Sequence, residues 1–152
     1  MFEKRLEELG IALPTPPRPL AAYVPAVLAD GVAYTSGQLP VADGELRFRG
    51  KVGGDLTENQ GREAARLCAL NCLSVIRDLA GTLDRVERIL KVTGYVNSAA
   101  GFVGQPGVVN GASDLLLEIF GEAGRHARAA VGVAELPLGA AVEVDMVVKL
   151  RP

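Results

Sequence analysis

The segment from Ala141 to Leu150 constrains the fold of this 152-residue chain more strongly than any other. Apolar side chains occupy every second position, the spacing at which the side chains of a strand share one face of a sheet. These apolar positions are Val142, Val144, Met146, Val148 and Leu150. The segment therefore predicts a β-strand whose apolar face packs against a hydrophobic layer.

The intervening positions of this strand combine charged groups with small apolar ones. They are Ala141, Glu143, Asp145, Val147 and Lys149. Helices packed on the first face would leave this second face uncovered, and another copy of the chain is a suitable cover. We therefore expect a closed homo-oligomer with binding sites near the subunit boundaries.

The longest helix is predicted between Thr57 and Gly81. Thr57 and Gln60 match a capping box, in which each side chain satisfies the other residue's backbone donor, and Gly81 is a typical helix stop. An apolar stripe at helical spacing comprises Ala65, Cys68, Ala69, Cys72, Ile76 and Leu79. Shorter helices are predicted over residues 2–9 and 108–120.

Five further segments are bounded by turn signals or rich in β-branched residues, which predicts strands. They are residues 22–28, 32–39, 47–52, 88–97 and 126–134. The order of elements predicts one α+β domain over residues 1–152, with two helices on one face of a mixed sheet. Residues 1–18 of that domain are predicted to form an N-terminal helix and a proline-rich, extended connector.

The composition argues against several classes of partner. Acidic residues number 18 and basic residues 16, and this net charge of −2 lacks the cationic excess of nucleic-acid-binding surfaces. No apolar run is long enough to span a bilayer, and the first ten residues are charged and amphipathic, unlike a secretion signal. We expect a cytoplasmic protein without nucleic-acid or membrane partners.

Cysteine and histidine are too few to indicate a metal centre. Cys68 and Cys72 lie one helical turn apart, but no second pair completes a site, so we interpret them as small core residues. His126 is the only histidine and is interpreted as an ordinary strand residue. The sequence also lacks a glycine-rich phosphate loop, and we expect neither a metal nor another cofactor.

Arg128 stands out in the penultimate predicted strand. Alternation places it on one face with Ala130 and Gly132, so that its guanidinium has small neighbours that would leave a cavity beside it. A guanidinium in such a place binds a carboxylate through two parallel hydrogen bonds. The alternative interpretations are an exposed strand arginine and a structural ion pair with Glu143 or Asp145.

Glu143 follows Arg128 across a short turn, residues 137–139, and we expect its side chain to reach the neighbourhood of the arginine. A carboxylate in that place orients a water molecule or transfers a proton. It can equally well neutralise the arginine. The pattern leaves both roles open.

Four segments resemble the Rid family of reactive intermediate deaminases, also called the YjgF family. They are AAYVPAV around Tyr23, YTSGQLP around Ser36, VVNGASDLL around Asn110, and HARAAVGVAELPLGAAVEVDMVV near the C-terminus. The resemblance extends roughly from Pro19 to Leu150, and its most specific part is R-x-x-V-x-V-x-x-L-P followed by V-E-V. The N-terminal helix and the loop around residues 101–107 resemble a longer branch of the family.

This resemblance implies the fold of the trimeric bacterial chorismate mutase, with helices outside, sheets around a threefold axis and clefts between subunits. It also implies hydrolysis, without a cofactor, of imines or enamines derived from amino acids. Examples of such substrates are 2-aminoacrylate and 2-iminobutyrate, and the products are 2-oxo acids and ammonia.

The same resemblance implies roles for individual residues. Arg128 would bind the substrate carboxylate, Glu143 would orient the attacking water, and the Ala130 carbonyl would help to hold that water. Contact with the substrate is implied for Tyr23, Ser36, Gly37 and Asn110.

Three other functions are compatible with parts of the pattern. A non-catalytic, carboxylate-binding regulatory trimer would need Arg128 but no base. Chorismate mutase, whose substrate is a dicarboxylate, would favour several cationic groups in the site. Ribonuclease activity would favour a basic surface, which the composition does not indicate.

Overall fold

The computed structural model of the chain describes residues 1–16, 18 and 22–152. The helices are α1 (Phe2–Leu9), α2 (Glu58–Ala80) and α3 (Gln105–Phe120). The strands are β1 (Ala26–Ala29), β2 (Val32–Thr35), β3 (Val41–Ala42), β4 (Glu45–Leu46), β5 (Val86–Asn97), β6 (Ala127–Val133) and β7 (Val142–Leu150). Within this described part, no helix is both long and apolar enough to cross a membrane.

Five strands form one mixed sheet in the order β1-β2-β7-β5-β6, and β3 pairs with β4 in a small separate hairpin. Neighbours in the large sheet are antiparallel, except β5 and β6, which are parallel. Parallel neighbours need a long crossover connection, and α3 lies in that connection. As a result β6 is an edge strand, and β5 separates it from β7.

The helix predictions are confirmed. The Thr57 N–H donates to the Gln60 side chain at 2.9 Å, and the Thr57 hydroxyl accepts from the Gln60 N–H at 3.1 Å, so the capping box is formed. Gly81 ends α2 in the left-handed region, with φ of 86°. Helix α3 begins three residues before the predicted start at Val108, because Pro106 fits the first turn of a helix.

The first two strands are shorter than predicted. Strand β1 begins at Ala26 rather than Ala22, directly after Pro25, which has no N–H to donate to a ladder. Strand β2 ends at Thr35, four residues before the predicted end at Leu39. The chain therefore leaves the regular sheet earlier than the apolar pattern indicates.

Extended chain was also predicted over residues 47–52 and in the proline-rich connector. The predicted strand over residues 47–52 is wrong, since Arg49 and Val52 form only isolated bridges there. In the proline-rich connector, Pro17 and Pro19 lie outside the described residues.

Helices α2 and α3 cover one face of the large sheet, as the alternation in β7 predicts. The five apolar residues of that strand are at most 3% exposed. The thiols of Cys68 and Cys72, both free and buried, donate to the Val142 and Val144 carbonyl oxygens at 3.4 and 3.3 Å. The interpretation of the two cysteines as core residues is confirmed.

A third helix, α1, joins this layer, where two were predicted. The Phe2 ring meets the Phe120 ring edge-on, with centroids 4.8 Å apart. The Asp84 carboxylate accepts from the backbone N–H groups of Glu3 and Phe2 at the start of α1, and these bonds lower the pKa of Asp84. Helix α1 is therefore attached at both the core and its N-terminus.

The opposite face of the sheet carries a row of cross-strand neighbours, Val27, Tyr34 and Val147. Val27 and Tyr34 are 51% and 46% exposed. None of the three helices covers this face in the described part of the chain. It is the face for which the sequence predicts another copy as the cover.

Candidate functional site

Arg128 lies on the edge strand β6 opposite the buried Val92, which places its side chain on the helix-covered face. The guanidinium reaches α3, where Nη1 donates to Asn110 Oδ1 at 2.7 Å and to Ser113 Oγ at 3.2 Å. Nη2 donates to the Pro106 carbonyl oxygen at a longer 3.4 Å. Arg128 is thus half-buried and held by a helix, unlike an exposed strand arginine.

All three partners of the Arg128 guanidinium are neutral. Among the described residues it forms no ion pair, either with Glu143 or with Asp145. Nε–H also has no acceptor in that part of the chain, and the two N–H groups of Nη2 make only the one long bond to Pro106. Because a half-buried cation without a counter-charge attracts an anion, the Nε–Nη2 edge is suited to a carboxylate.

The small neighbours of Arg128 do not leave the predicted cavity. Ala130 packs against the core, and Gly94 lies opposite it on β5. A Cβ on Gly94 would overlap the Val109 side chain of α3. Helix α3 therefore approaches the sheet closely here and fills the space that the small residues provide.

His126 belongs to the same group of contacts. Its Nδ1 lies 2.6 Å from the Gly124 carbonyl oxygen, and its Nε2 lies 2.9 Å from Ser113 Oγ. The described residues contain no cluster of three or more potential metal-ligating side chains. Sequence reasoning missed Ser113, whose only signal is its spacing of three residues from Asn110 on one helix face.

Glu143 lies on β7 opposite Tyr95 and points to the uncovered face. The backbone at Gly37 passes directly over its carboxylate, since a Cβ on that glycine would overlap it. Burial, and then the negative charge of Asp145, raises the pKa of the Glu143 carboxyl above its usual value. A carboxylate with a raised pKa is better suited to accept a proton from water at neutral pH.

Asp145, two residues along the same face, is held differently. The Tyr95 hydroxyl donates to Asp145 Oδ2 at 2.9 Å. Burial, and then this bond, raises the pKa of Tyr95 to about 12, so the phenol remains a donor at neutral pH. None of the residues that the structure describes donates a hydrogen bond to Glu143. Its carboxylate oxygens can therefore accept hydrogen bonds from a ligand or from water.

Arg128 and Glu143 lie on opposite faces of the sheet, on strands that β5 separates. The expectation that they share one neighbourhood within the chain is therefore wrong, because the α3 crossover places β6 on the far side of β5. Arg128, with Ala130 and Asn110, forms what we call the arginine half-site. Glu143 and Gly37 form the glutamate half-site.

Ser36 and Tyr23 lie beside the glutamate half-site. The Ser36 hydroxyl donates to the Val24 carbonyl oxygen at 2.6 Å. This bond joins the segment before β1 to the segment after β2. Tyr23 is 50% exposed and, with Gly37, lines a cavity of about 880 Å³. Residues 12–16, the β3–β4 hairpin and α2 supply its other walls, and its volume suits a small molecule.

Comparison with known proteins shows similarity over nearly the whole chain. Residues 3–150 match the family model described as "YjgF/chorismate_mutase-like, putative endoribonuclease". Protein TCP17 of Trypanosoma cruzi is 49% identical over 147 residues, which cover 96% of this chain and 92% of that protein.

Two crystal structures share the fold. Protein Atu1372 of Agrobacterium tumefaciens, described as having unknown function, has a TM-score of 0.90 at 44% identity and covers 98% of this chain and 92% of its own. A protein of Shewanella oneidensis, described as a putative endoribonuclease, has a TM-score of 0.96 at 36% identity, covering 99% of both chains. The shared fold thus includes the N-terminal region.

Proposed function

Because this chain belongs to the YjgF/chorismate mutase-like family, also called the Rid family, we propose that it hydrolyses small 2-imino and enamine acids to 2-oxo acids and ammonia. Substrates of the size of 2-iminobutyrate or 2-aminoacrylate fit the proposal. The observation that carries it is the Arg128 guanidinium, whose partners are neutral and whose Nε–H has no acceptor among the described residues. A small carboxylate supplies the missing counter-charge.

The proposed enzyme is a homotrimer in which the arginine half-site of one subunit faces the glutamate half-site of the next. The opposite orientation of Arg128 and Glu143 supports this arrangement, since the two side chains cannot meet within one chain. The uncovered sheet face supports it as well, because burial of partly exposed apolar side chains such as Val27 and Tyr34 lowers the free energy of the assembled protein.

In the proposed mechanism, Arg128 binds the substrate carboxylate and so fixes the position of the protonated imine. Glu143 and the Ala130 carbonyl hold a water, whose oxygen bonds to the imine carbon while Glu143 accepts its proton. Glu143 returns that proton to the nitrogen of the tetrahedral adduct. The C–N bond then breaks and its electron pair leaves with ammonia, while the hydroxyl gives its proton to Glu143. Glu143 passes this proton to the departing ammonia, so that ammonium and a 2-oxo acid leave and the base is regenerated.

Positioning and proton transfer are sufficient for this reaction because a protonated imine is already electrophilic. An enamine substrate first takes a proton at its β-carbon and becomes the imine. The raised pKa of Glu143 matches both tasks of that residue, since a stronger base accepts a proton from water more readily. No step requires a cofactor.

The direct test generates 2-iminobutyrate in solution and measures the release of 2-oxobutyrate above the spontaneous rate. We expect acceleration by the wild-type protein and a loss of about tenfold to a hundredfold in kcat/KM for Arg128→Ala, the contribution of charged hydrogen bonds. Arg125→Ala is the matched control, because Arg125 is exposed and paired with Glu122. Absence of acceleration across a panel of imino acids would count against the proposal.

A non-catalytic carboxylate sensor is the second candidate, because the arginine half-site is complete within one chain. Glu143→Gln separates the two functions, since the amide keeps the shape of the side chain but is not a base. An enzyme loses turnover in this variant and retains 2-oxobutyrate binding. A sensor binds equally well with either residue and turns over nothing.

Endoribonuclease activity, which the family description names, has a weaker physical basis in this chain. Binding of RNA depends on clustered lysine and arginine side chains that contact the phosphates. The chain instead has a net charge of −2, and its half-buried arginine faces a helix.

A further inference from the structure

We propose that Ser113 and His126 are positioning residues that hold the Arg128 guanidinium in the one orientation that presents its Nε–Nη2 edge to a carboxylate. This inference rests on the proposed carboxylate-binding role of Arg128. It assigns a task to the single histidine, which the proposed mechanism does not use.

The direction of each hydrogen bond follows from chemistry. The Gly124 carbonyl oxygen can only accept, so His126 Nδ1, at 2.6 Å, carries a hydrogen and donates it. In the neutral imidazole, Nε2 is then an acceptor, and the Ser113 hydroxyl donates to it at 2.9 Å. The lone pairs of Ser113 Oγ are left for Arg128 Nη1, which donates at 3.2 Å.

Backbone packing fixes the Gly124 carbonyl oxygen, the first acceptor in this series of hydrogen bonds. A Cβ on Gly124 would overlap the Leu116 carbonyl group of α3, so the backbone at this glycine lies directly against the helix. Gly124 is buried, and its carbonyl oxygen holds the His126 ring in place. The orientation of the ring in turn determines where the Ser113 hydroxyl hydrogen points.

The two acceptors on α3 define the plane of the guanidinium. Asn110 and Ser113 are three residues apart, so they lie on one helix face. Both oxygens accept from Nη1, at 2.7 and 3.2 Å, which directs Nη1 toward the helix. The Nε–H and the outer N–H of Nη2 are parallel on the opposite edge, with the spacing of two carboxylate oxygens. Rotation of the group would destroy this match.

Loss of positioning has a characteristic kinetic signature. The carboxylate is bound in both the ground state and the transition state, so a misplaced arginine mainly raises KM and lowers kcat only slightly, through the shifted position of the imine. A residue needed for chemistry would lower kcat instead. A residue needed only for folding would lower the amount of active protein without changing KM.

The experiment compares Ser113→Ala and His126→Ala with Ser113→Thr, which keeps the hydroxyl, and with Thr82→Ala, which removes a half-buried hydroxyl that accepts from the Asp84 N–H instead. We expect the first two variants to raise KM for 2-iminobutyrate about three- to tenfold, the contribution of one hydrogen bond, with kcat within about twofold. Ser113→Thr and Thr82→Ala should keep the wild-type KM. Thermal melts establish that each variant is folded.

A calorimetric titration with 2-oxobutyrate keeps this inference separable from the proposed reaction. Weaker 2-oxobutyrate binding by Ser113→Ala, in a protein whose wild type turns over no imino acid, would support the positioning role and reject the deaminase. Wild-type turnover together with unchanged KM and Kd in Ser113→Ala and His126→Ala would reject the positioning role alone. A wild type that neither binds 2-oxobutyrate nor turns over imino acids would overturn both.

Discussion

Arg128 and Glu143 point to opposite faces of one sheet, from strands β6 and β7 that β5 separates. The sheet backbone lies between the two side chains, so neither half-site completes the other within the chain. Each has what the other lacks, since the arginine has no counter-charge and the glutamate has no hydrogen-bond donor among the described residues. A site that uses both therefore draws them from two copies.

This relationship predicts complementation between two inactive variants. Arg128→Ala and Glu143→Gln subunits, co-expressed with different tags, should form mixed oligomers in which some clefts combine an intact arginine with an intact glutamate. Random mixing in equal amounts gives about a quarter of the clefts both residues, and we expect about a quarter of the wild-type 2-oxobutyrate release.

The separately purified variants, combined without exchange of subunits, are the control for this experiment. Each should retain only the residual rate of its own mutation. Mixed oligomers that are no more active than the separate variants would show that the two residues do not act in a shared cleft.

Substitution of Gly37 by alanine should displace the Glu143 carboxylate. The new Cβ would overlap it, while the backbone at Gly37 does not have the positive φ that would strain an alanine. We expect a loss in kcat of about a hundredfold, the lower end of the effect of a lost general base, with a normal thermal melt.

A double-mutant cycle checks the cause of this loss. If Gly37→Ala acts through Glu143, it should cost little in a Glu143→Gln background. Full additivity of the two losses would instead assign Gly37 a role of its own.

The pH dependence of kcat should report the raised pKa of Glu143. Burial, and then the charge of Asp145, raises the pKa of Glu143, and a substrate carboxylate would neutralise the charge of Arg128 in the proposed complex. Because the base must be ionised, kcat should fall as the pH decreases through this pKa, which is raised above the usual value of a glutamate carboxyl. Asp145→Asn removes a like charge and should move the acid limb to lower pH. A limb that stays in place would contradict the assignment of Glu143 as the base.

The parts of the fold that local chemistry determines could be predicted from the sequence. The alternation in β7 and the capping box at Thr57 each depend on residues close together in the chain, and both are present in the structure. The face that β7 buries followed directly from its pattern. Local signals of this kind specify an element and its inward side, but not its neighbours.

The pairing of strands and the surroundings of Arg128 could not be predicted in the same way. A short turn at residues 137–139 is typical of a hairpin, but β5 pairs with both β6 and β7 and keeps them apart. The contact of Ser113 with Arg128 depends on how closely α3 approaches β6. That distance is set by small residues such as Gly94 in the packed structure, and no single segment encodes it.

Stability should depend measurably on the cap of α2. Thr57→Ala removes the acceptor for the Gln60 N–H, and the loss of such a cap costs about 1 kcal/mol in the free energy of unfolding. For a chain of this size we expect the Tm to fall by about 2 to 4 °C. Thr57→Ser keeps the acceptor and should retain most of the wild-type Tm. Equal melting temperatures for all three proteins would show that the capping box contributes nothing to stability.

The uncovered face should be the surface through which the subunits associate. Val147 lies near its centre, beside the exposed Tyr34, and a charge there would have to be buried without a partner on assembly. We therefore expect Val147→Glu to convert the protein from about three times the chain mass to one, as measured by light scattering, and to abolish turnover. Leu117→Glu is the control, because Leu117 is 40% exposed on helix α3, away from this face, and the trimer mass should persist. A wild type that has the mass of one chain would show that the subunits do not associate and that the two half-sites stay apart. A Val147→Glu variant that remains a trimer would place the interface elsewhere.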